Sequence, residues 1–246
     1  MNRFFVDRGA ILDNTIEITD GNDLNHINKV LRLKPGDRLE ISDSKEFEYE
    51  TEIINIDRDV VVLKILDKQK FAKEPQIRVT LYQGVPKSSK MDSIIQKSVE
   101  LGVHTIVPVF TKRTVVTENR GFEKKLLRWN RISQEAVKQC KRGIIPKVEN
   151  SMGFFEMENR FKNDYDLILF PYEDELETTI KDVMRGLDKA VQNVALIIGP
   201  EGGFSEREAA VITSAGGYSV TLGKTILRTE TAGPTALAMI MYELEL

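Results

Sequence analysis

The stretch Val194–Ala232 constrains the fold of this chain most, because it holds two short apolar strands that each end in a glycine-bearing loop. The run Val194–Ile198 is uniformly apolar, which is typical of a fully buried strand. It stops at Gly199-Pro200-Glu201-Gly202-Gly203, where a proline and paired glycines prevent the strand from continuing. A tight loop made largely of backbone must therefore follow the first strand.

This first loop leads directly into a helix. Ser205 is a typical N-cap residue, and Glu208 three positions later completes a capping box. Free amide groups at such a helix start suit a polar or anionic ligand. Gly216-Gly217 ends the helix, and Tyr218–Leu222 is predicted as the second strand.

The second strand leads into Gly223–Ala232, a loop that carries Arg228 and Glu230 beside small hydroxyl residues. Either loop alone is more typical of an ordinary turn in an α/β sheet. Open parallel sheets bind their ligands at the carboxyl ends of the strands, and both loops start there. Together, with a fixed cation and a carboxylate in the second loop, they predict a ligand pocket.

The composition is that of an ordinary globular protein, with 246 residues of which 41% are hydrophobic and 30% charged. This length suits two domains. No apolar run approaches the length of a membrane span, and the N-terminus lacks a signal-peptide pattern, so we expect a cytoplasmic protein with no membrane partner. A single cysteine, Cys140, excludes an intramolecular disulfide. With only His26 and His104 beside it, the sequence predicts no metal site.

The charge of the chain is unevenly distributed. The formal net charge is −3, yet Lys112–Lys147 contains eleven Lys or Arg against three Asp or Glu. Part of this surplus falls on a predicted helix, Glu123–Lys141, with one apolar stripe and otherwise basic faces. A charge run is usually a solvated face, but segregation this strong favours a surface that contacts phosphates.

The region before the predicted linker Phe71–Pro75 is expected to be β-rich, with one short helix at Asn22–Leu31 whose apolar stripe closes a small barrel. After the linker, strands and helices alternate, which predicts a parallel sheet. The strands predicted before the linker are Phe4–Val6, Thr15–Ile18, Arg38–Ser42, Phe47–Ile56 and Val60–Leu66. Those predicted after it, besides the two above, are Ile77–Tyr82, Thr105–Phe110 and Asp166–Phe170. Further helices are predicted from Ser88 or Ser89 to Leu101 and at Gly153–Phe161, Thr178–Gly186 and Pro234–Leu244.

Three segments of the chain resemble the RsmE family, the ribosomal RNA uridine-N3 methyltransferases of the SPOUT class. They are GPEGGFSEREAAVITSAGGYSVTLGKTILRTETA, QGVPKSSKMDSIIQKSVELGVHTIVPV and HINKVLRLKPGDRLEISDSKEFEYETEI. The resemblance implies an α/β fold in which residues 1–72 form a small PUA-like β-barrel that grips RNA. Residues 73–246 would then form the methyltransferase domain, a mostly parallel sheet with a C-terminal trefoil knot that holds S-adenosylmethionine (SAM). It further implies a homodimer that packs through the last helix and acts on 16S ribosomal RNA of the small ribosomal subunit.

The resemblance also implies the residues of each site. The cofactor would contact three loops of the knot, through Phe170, Pro171, Ile198, Gly199, Gly203, Leu222, Gly223, Ile226, Leu227, Arg228, Thr231 and Ala232. RNA would contact Arg3, Arg32, Lys87, Lys90, Arg113, Gln139 and Arg142. His26 and Cys140 are interpreted as structural.

The chemistry assigns roles to three of the charged residues. Methylation at uridine N3 requires the deprotonated imide, whose pKa lies well above neutrality. Arg228 is predicted to stabilise the resulting anion, and Glu201 or Glu230 is the candidate proton acceptor. Two other functions stay open at this point. A related SPOUT enzyme would act on transfer RNA or a ribose hydroxyl, and a non-catalytic RNA-binding factor would not use the cofactor.

Overall fold

The computed structural model of the chain describes residues 2–71, 74–116, 121–187 and 190–245. The chain divides into two compact units, Met1–Glu74 with Val137–Ile145, and Pro75–Ala136 with Pro146–Leu246. Nothing in the sequence pattern predicts that Val137–Ile145 packs with the first unit. The predicted domain boundary, between residues 72 and 73, lies outside the described residues and stays a prediction.

The first unit is built on a five-stranded sheet in the order β1-β3-β4-β5-β2. Strand β1 runs parallel to β3, and the other pairs are antiparallel. Apolar and polar residues alternate along the strands, so that Leu39 and Ile41 of β3 are fully buried in one core with Phe4 and Ile53. The strands are β1 (Asn2–Phe5), β2 (Thr15–Ile18), β3 (Arg38–Ser42), β4 (Phe47–Ile56) and β5 (Val61–Lys70).

The helix predicted over Asn22–Leu31 is split into two parts. Helix α1 (Gly21–Asn25) begins at Asp20, whose side chain accepts hydrogen bonds from the backbone N–H of Asn22 and Asp23. A π-helical turn then covers His26–Leu31. It ends where Arg32 N–H donates to the Ile27 carbonyl five residues back, with Arg32 in the left-handed region at φ 54°.

The second unit contains a seven-stranded sheet in the order β12-β10-β11-β6-β7-β8, with β9 also pairing with β7. Every strand pair in it is parallel. The carboxyl ends of β12, β10, β11 and β6 therefore lie side by side at one edge of the sheet. The strands are β6 (Arg78–Gly84), β7 (Thr105–Phe110), β8 (Lys147–Val148), β9 (Met152–Gly153), β10 (Leu167–Pro171), β11 (Asn193–Ile198) and β12 (Tyr218–Val220).

The remaining helices follow the predicted alternation with strands. They are α2 (Lys90–Glu100), α3 (Phe122–Cys140), α4 (Phe154–Asp164), α5 (Ile180–Arg185), α6 (Glu206–Ser214) and α7 (Thr229–Glu245). The predicted start of α7 at Pro234 is wrong. Its first turn forms earlier, because the N–H groups of Thr231 and Ala232 both donate to the Arg228 carbonyl at 2.8 Å. This start puts Glu230 in the first turn of α7.

Buried apolar side chains hold the helices to the sheet. Val79, Leu81, Val194 and Leu196 are fully buried in the central strands β6 and β11, which matches the apolar runs expected of a sheet covered on both faces. In the described parts of the chain, every helix is too short or too polar to cross a membrane.

Candidate active site

A pocket of about 460 Å³ opens at the carboxyl ends of strands β10, β11 and β12. Its walls are the three loops that follow these strands, together with Lys90 at the start of α2 and the first turn of α7. The lining mixes apolar side chains, such as Ile198 and Leu227, with exposed backbone and charged groups. This mixture is typical of a small-molecule site, in which a few polar groups orient a largely apolar contact.

The loop after β11 is tight because its glycines lie against one another. A Cβ on Gly199 would come within 3.1 Å of the Cα of Gly203, and Gly203 itself has a φ of +65°. The loop then enters α6 through the predicted capping box, in which Ser205 and Glu208 each bond the other's backbone N–H. The sequence therefore predicted both the loop and the helix start.

The pocket contains most of the residues predicted to hold a cofactor. Phe170 and Thr231 are the exceptions: Phe170 is buried and packs edge-on against Phe204, and Thr231 is exposed on α7. Their role in cofactor binding stays a prediction. The predicted residues that line the pocket are Pro171, Ile198, Gly199, Gly203, Leu222, Gly223, Ile226, Leu227, Arg228 and Ala232.

Beyond Pro171, no residue of the loop after β10 was predicted to contact the cofactor. Glu173, Glu175 and Leu176 line the pocket there. Glu175 also accepts a hydrogen bond from Ser219 of β12 at 2.9 Å, and the pKa of its carboxyl is lowered mainly by hydrogen bonds from the N–H groups of Thr178 and Glu177. The acidic run Glu173-Asp174-Glu175, directly after a buried strand, is the sequence feature that could have identified these pocket residues.

Lys90, Glu201 and Glu230 form a charge cluster at the pocket, which we name the open cluster. Lys90 Nζ lies 2.9 Å from Glu201 Oε1 and 3.3 Å from Glu230 Oε2. The backbone N–H of Lys87 also donates to both oxygens of Glu201. The ion pair with Glu201 raises the pKa of Lys90.

The two carboxylates of the open cluster are both held in the ionised form. Burial alone would raise the pKa of Glu201, but contacts with Lys90, with its own N–H and with the N–H of Lys87 lower it overall. The pKa of Glu230 is lowered first by its own backbone N–H at the start of α7 and then by Lys90 and the charge of Arg228. Both groups are therefore poor acceptors for a proton at neutral pH.

Behind the pocket, a buried chain of hydrogen bonds ties two of its walls together. Gln83 Nε2 donates to Thr229 Oγ1 at 2.9 Å, and Thr229 Oγ1 donates to the Gly199 carbonyl at 2.6 Å. These two hydrogen bonds fix the first turn of α7 against the loop after β11. The pattern of apolar residues in β6 could not predict it, because Gln83 is polar yet fully buried.

Two arginines at the pocket differ in what they contact. Arg113 donates to the Gly202 carbonyl at 2.8 Å and lies 3.9 Å from Glu173. Arg228 is exposed, and within the described residues its guanidinium has no hydrogen bond or salt bridge. Arg228 is therefore free to contact a ligand, whereas Arg113 spans the loops after β10 and β11.

Two of the residues predicted to bind RNA lie in a buried network of the first unit, which we name the closed cluster. Arg3 is within 3.2 Å of Glu40 and 2.6 Å of Glu48, and its Nη1 donates to the carbonyls of Lys141 and Arg142. Arg142 is ion-paired with Glu74 at 2.9 Å. Both guanidinium groups are almost fully buried, which favours a structural role.

The other residues predicted to bind RNA are on the surface. Arg32, Lys87 and Gln139 are exposed. RNA binding by any of these residues, including Arg3 and Arg142, stays a prediction. Across the described residues, no group of three or more His, Cys, Asp or Glu side chains is arranged to hold a metal ion.

Comparison with known proteins decides the family. A model described as an RNA methyltransferase domain matches residues 72–241, and one described as an RNA methyltransferase PUA domain matches residues 18–66. The chain is 32% identical to the ribosomal RNA small subunit methyltransferase E of Bacillus subtilis (strain 168), over 94% of this chain and 91% of that protein. This chain belongs to the ribosomal RNA small subunit methyltransferase E family.

Further relatives agree with this assignment. The enzyme of the same name from Buchnera aphidicola subsp. Acyrthosiphon pisum is 33% identical, over 97% of this chain and 92% of its own length. A crystal structure of ribosomal RNA small subunit methyltransferase E from Neisseria gonorrhoeae, bound to S-adenosyl methionine, superposes with a TM-score of 0.86. It is 30% identical and covers 98% of this chain and 97% of its own.

Membership of the methyltransferase E family confirms the family that the sequence resemblance indicated. The mostly parallel sheet and the preceding PUA domain are confirmed as well. The C-terminal trefoil knot stays a prediction.

Proposed function

We propose that this protein is a SAM-dependent methyltransferase that methylates N3 of a uridine in 16S ribosomal RNA of the small ribosomal subunit. The observation that carries this proposal is the pocket, which is built from the loops whose sequence resembles the family's cofactor loops. Family membership supports the reaction class, and the cofactor named for the Neisseria gonorrhoeae structure supports SAM. A ribosomal substrate supports a cytoplasmic location.

The pocket fits SAM in size, and part of its charge is opposite to that of the cofactor's sulfonium and ammonium groups. A volume of about 460 Å³ lies inside the range of about 300–1,000 Å³ for small-molecule sites. Gly223, with a φ of +127°, has nothing within 4 Å of where a Cβ would stand, so its backbone borders open space. Glu173, Glu175 and Glu201 bring negative charge to the walls, opposite in sign to a sulfonium and an ammonium.

SAM supplies an activated methyl group, so the protein has to align the acceptor and provide it in a reactive state. The acceptor is the uridine imide after loss of its N3 proton. We assign Arg228 to stabilise the negative charge on the uracil ring, because its guanidinium is exposed at the pocket and has no competing partner among the described residues. The lowered pKa of Glu201 and of Glu230 makes each carboxylate a weaker base than an ordinary glutamate. We therefore assign neither as the proton acceptor, and the imide proton leaves to solvent once the anion is stabilised.

We also propose a homodimer that packs through α7. This helix carries two exposed large apolar side chains near its end, Met239 at 38% and Tyr242 at 67% exposure. Such residues on one helix are typical of a surface that another protein covers. Light scattering of the purified protein tests this assembly.

The experiment that tests the function uses small ribosomal subunits from a strain that lacks this protein. We expect the purified protein and SAM to add one methyl group, which mass mapping of the RNA locates on a uridine base. A methyl group on a ribose would instead identify the related SPOUT activity, and methylation of transfer RNA alone would exclude the ribosomal substrate. If titration calorimetry detects no SAM binding, the protein is a non-catalytic RNA-binding factor.

A further inference from the structure

The three members of the open cluster do not share the same position. Lys90 and Glu201 line the pocket, whereas Glu230 is not among the residues that line it. Glu230 Oε2 is buried and has no hydrogen-bond partner among the described residues, with Lys90 Nζ 3.3 Å away. The Glu230 carboxylate, predicted as a base, therefore pairs with a lysine and does not line the pocket.

Lys90 has a donor left for a ligand. An ammonium carries three N–H groups. Its two ion pairs, to Glu201 and Glu230, engage at most two of them. The side chain is 29% exposed, and the ammonium cannot swing away without leaving two carboxylates unpaired. The remaining N–H is thus fixed in place at the wall of the pocket.

Each of the two carboxylates has support from the backbone in addition to Lys90. Glu201 accepts hydrogen bonds from the N–H of Lys87 on both oxygens, and Glu230 lies in the first turn of α7, where the helix N-terminus favours a negative charge. The backbone therefore contributes to the placement of Glu201 and to the ionised form of Glu230. The cluster is therefore better described as two carboxylates that orient a lysine than as a lysine that orients two carboxylates.

We propose that Lys90 is a second catalytic residue of the methyl transfer, which donates its free N–H to a carbonyl oxygen of the target uracil, and that Glu230 is a positioning residue acting through Lys90. This inference rests on the proposed function of the site. It replaces the predicted role of Glu230 as a base and narrows the predicted RNA contact of Lys90 to the reacting base.

The proposed contact has its effect as the imide ionises. When the N3 proton leaves to water, the negative charge spreads from N3 onto the two ring carbonyl oxygens. A fixed donor at one oxygen then strengthens its hydrogen bond and stabilises the anion. The N3 electron pair forms the new bond to the methyl carbon, the carbon–sulfur bond breaks, and its electron pair stays on sulfur. Arg228 and Lys90 together let water serve as the proton acceptor.

The experiment compares variants of the full-length protein in single-turnover methylation of small ribosomal subunits at saturating SAM. The variants are Lys90→Met, Lys90→Arg, Glu230→Gln and the double variant Lys90→Met/Glu230→Gln. Lys97→Met is the matched control, because Lys97 is exposed on the same helix α2. SAM affinity is measured for each by titration calorimetry.

We expect Lys90→Met to slow methylation by about a hundredfold, as is common when one such donor is lost, with SAM affinity within about threefold of wild type. Lys90→Arg should keep part of the rate, Glu230→Gln should lose about tenfold, and Lys97→Met should behave as wild type. The double variant should be no slower than Lys90→Met, because Glu230 acts only through Lys90. Raising the pH, which ionises the imide unaided, should restore much of the Lys90→Met rate.

Each alternative has its own result. A loss of SAM affinity as large as the loss of rate would make the cofactor the acceptor of the Lys90 hydrogen bond, and would overturn the proposal. Additive losses in the double variant would overturn the positioning role of Glu230. Normal methylation by Lys90→Met would exclude Lys90 altogether. If wild type itself methylates no uridine base in the subunit, the proposed function has failed, which is a separate result.

Discussion

The closed cluster of the first unit and the open cluster of the second both pair basic side chains with carboxylates. They differ in how far the basic side chains are buried and in how many of their N–H groups are already bonded. In the closed cluster, Arg3 and Arg142 contact three carboxylates and two backbone carbonyls and are almost entirely buried. In the open cluster, Lys90 meets two carboxylates and remains partly exposed in a pocket. A charged residue in a family motif can therefore serve either the fold or a ligand.

The difference shows which charges are available for function. A buried arginine whose donors are all engaged cannot leave its partners without exposing them as unpaired charges, and that cost is large. A half-exposed lysine or arginine with a free N–H group can bind a ligand at little cost in free energy, because it keeps its existing partners. The closed cluster should thus control stability, while the open cluster and Arg228 should control the reaction.

The largest effect is expected when the closed cluster is broken. Arg142→Met leaves the carboxylate of Glu74 buried beside the N–H groups of Gly143 and Ile144, without its cation. Removing one partner of a buried pair costs about 3–5 kcal/mol, so urea unfolding should show a loss of that size. Arg131→Met, which breaks an exposed pair with Glu135, is the control and should cost less than about 1 kcal/mol.

The same variant tests the alternative role of Arg142. If Arg142 mainly contacts RNA, its loss leaves stability near wild type and reduces the salt dependence of RNA binding by about one counterion. That outcome would contradict the distinction between the two clusters.

The next effect is expected at Arg228, in the rate and not in stability. Arg228→Ala should slow single-turnover methylation by about a hundredfold to a thousandfold, because one anion-stabilising group is lost. Arg228→Lys keeps the charge without the planar fork and should retain part of the rate. Because the side chain is exposed, the unfolding free energy should stay within about 0.5 kcal/mol of wild type.

A pH series distinguishes the roles of Arg228. Rescue of Arg228→Ala at high pH, where the imide ionises unaided, is the expected result. Normal turnover at neutral pH would limit Arg228 to a structural or cofactor-holding role.

Local patterns predicted most elements of both units. Apolar runs located five of the seven strands of the second unit but not the two-residue strands β8 and β9. The capping box at Ser205 located the start of α6. The start of α7 could not be predicted in the same way, because proline is common in the first turn of a helix and Pro234 therefore indicates a later start than the true one. The first turn instead forms around the Arg228 carbonyl.

Contacts between distant parts of the chain could not be predicted. Arg3 and Arg142 are 139 residues apart, and no periodicity links them. The open cluster is similar. Lys90 begins α2, Glu201 lies in the loop after β11 and Glu230 lies in the first turn of α7, so the three meet only through the strand order of the sheet. Resemblance identified these residues as important, but only the packing of the chain separates the structural ones from those at the pocket.

A smaller effect is expected when one glycine from each unit is replaced by valine. Gly36 and Gly223 have φ angles of +96° and +127°, and at both a Cβ would meet nothing within 4 Å. Valine at either position should therefore cost a similar strain of about 1–2 kcal/mol in unfolding free energy. Gly223 lines the pocket, so Gly223→Val alone should weaken SAM binding, by about tenfold or more in calorimetry. Equal SAM affinity in the two folded variants would remove Gly223 from the cofactor site.

The smallest effect is expected at Asp43, a charged residue of the first unit that, like Arg3 and Arg142, has several hydrogen-bond partners. Its Oδ1 accepts hydrogen bonds from the backbone N–H of Lys45, Glu46 and Phe47, and its Oδ2 lies 3.4 Å from Arg8. Burial alone would raise the pKa of Asp43, but these hydrogen bonds and Arg8 lower it overall.

A lowered pKa in the folded state fixes the sign of the pH dependence. The stability that the Asp43 carboxylate contributes is fully present above its unfolded pKa and is lost as the pH falls through its folded pKa. Asp43→Asn keeps an acceptor but not the charge, so at neutral pH it should cost about 1 kcal/mol. Its unfolding free energy should also fall less steeply than that of wild type below about pH 4. Asp13→Asn, at an exposed carboxylate of the same unit, is the control and should leave the acid slope unchanged. An acid slope in Asp43→Asn as steep as in wild type would show that Asp43 is not among the charges that stabilise the first unit.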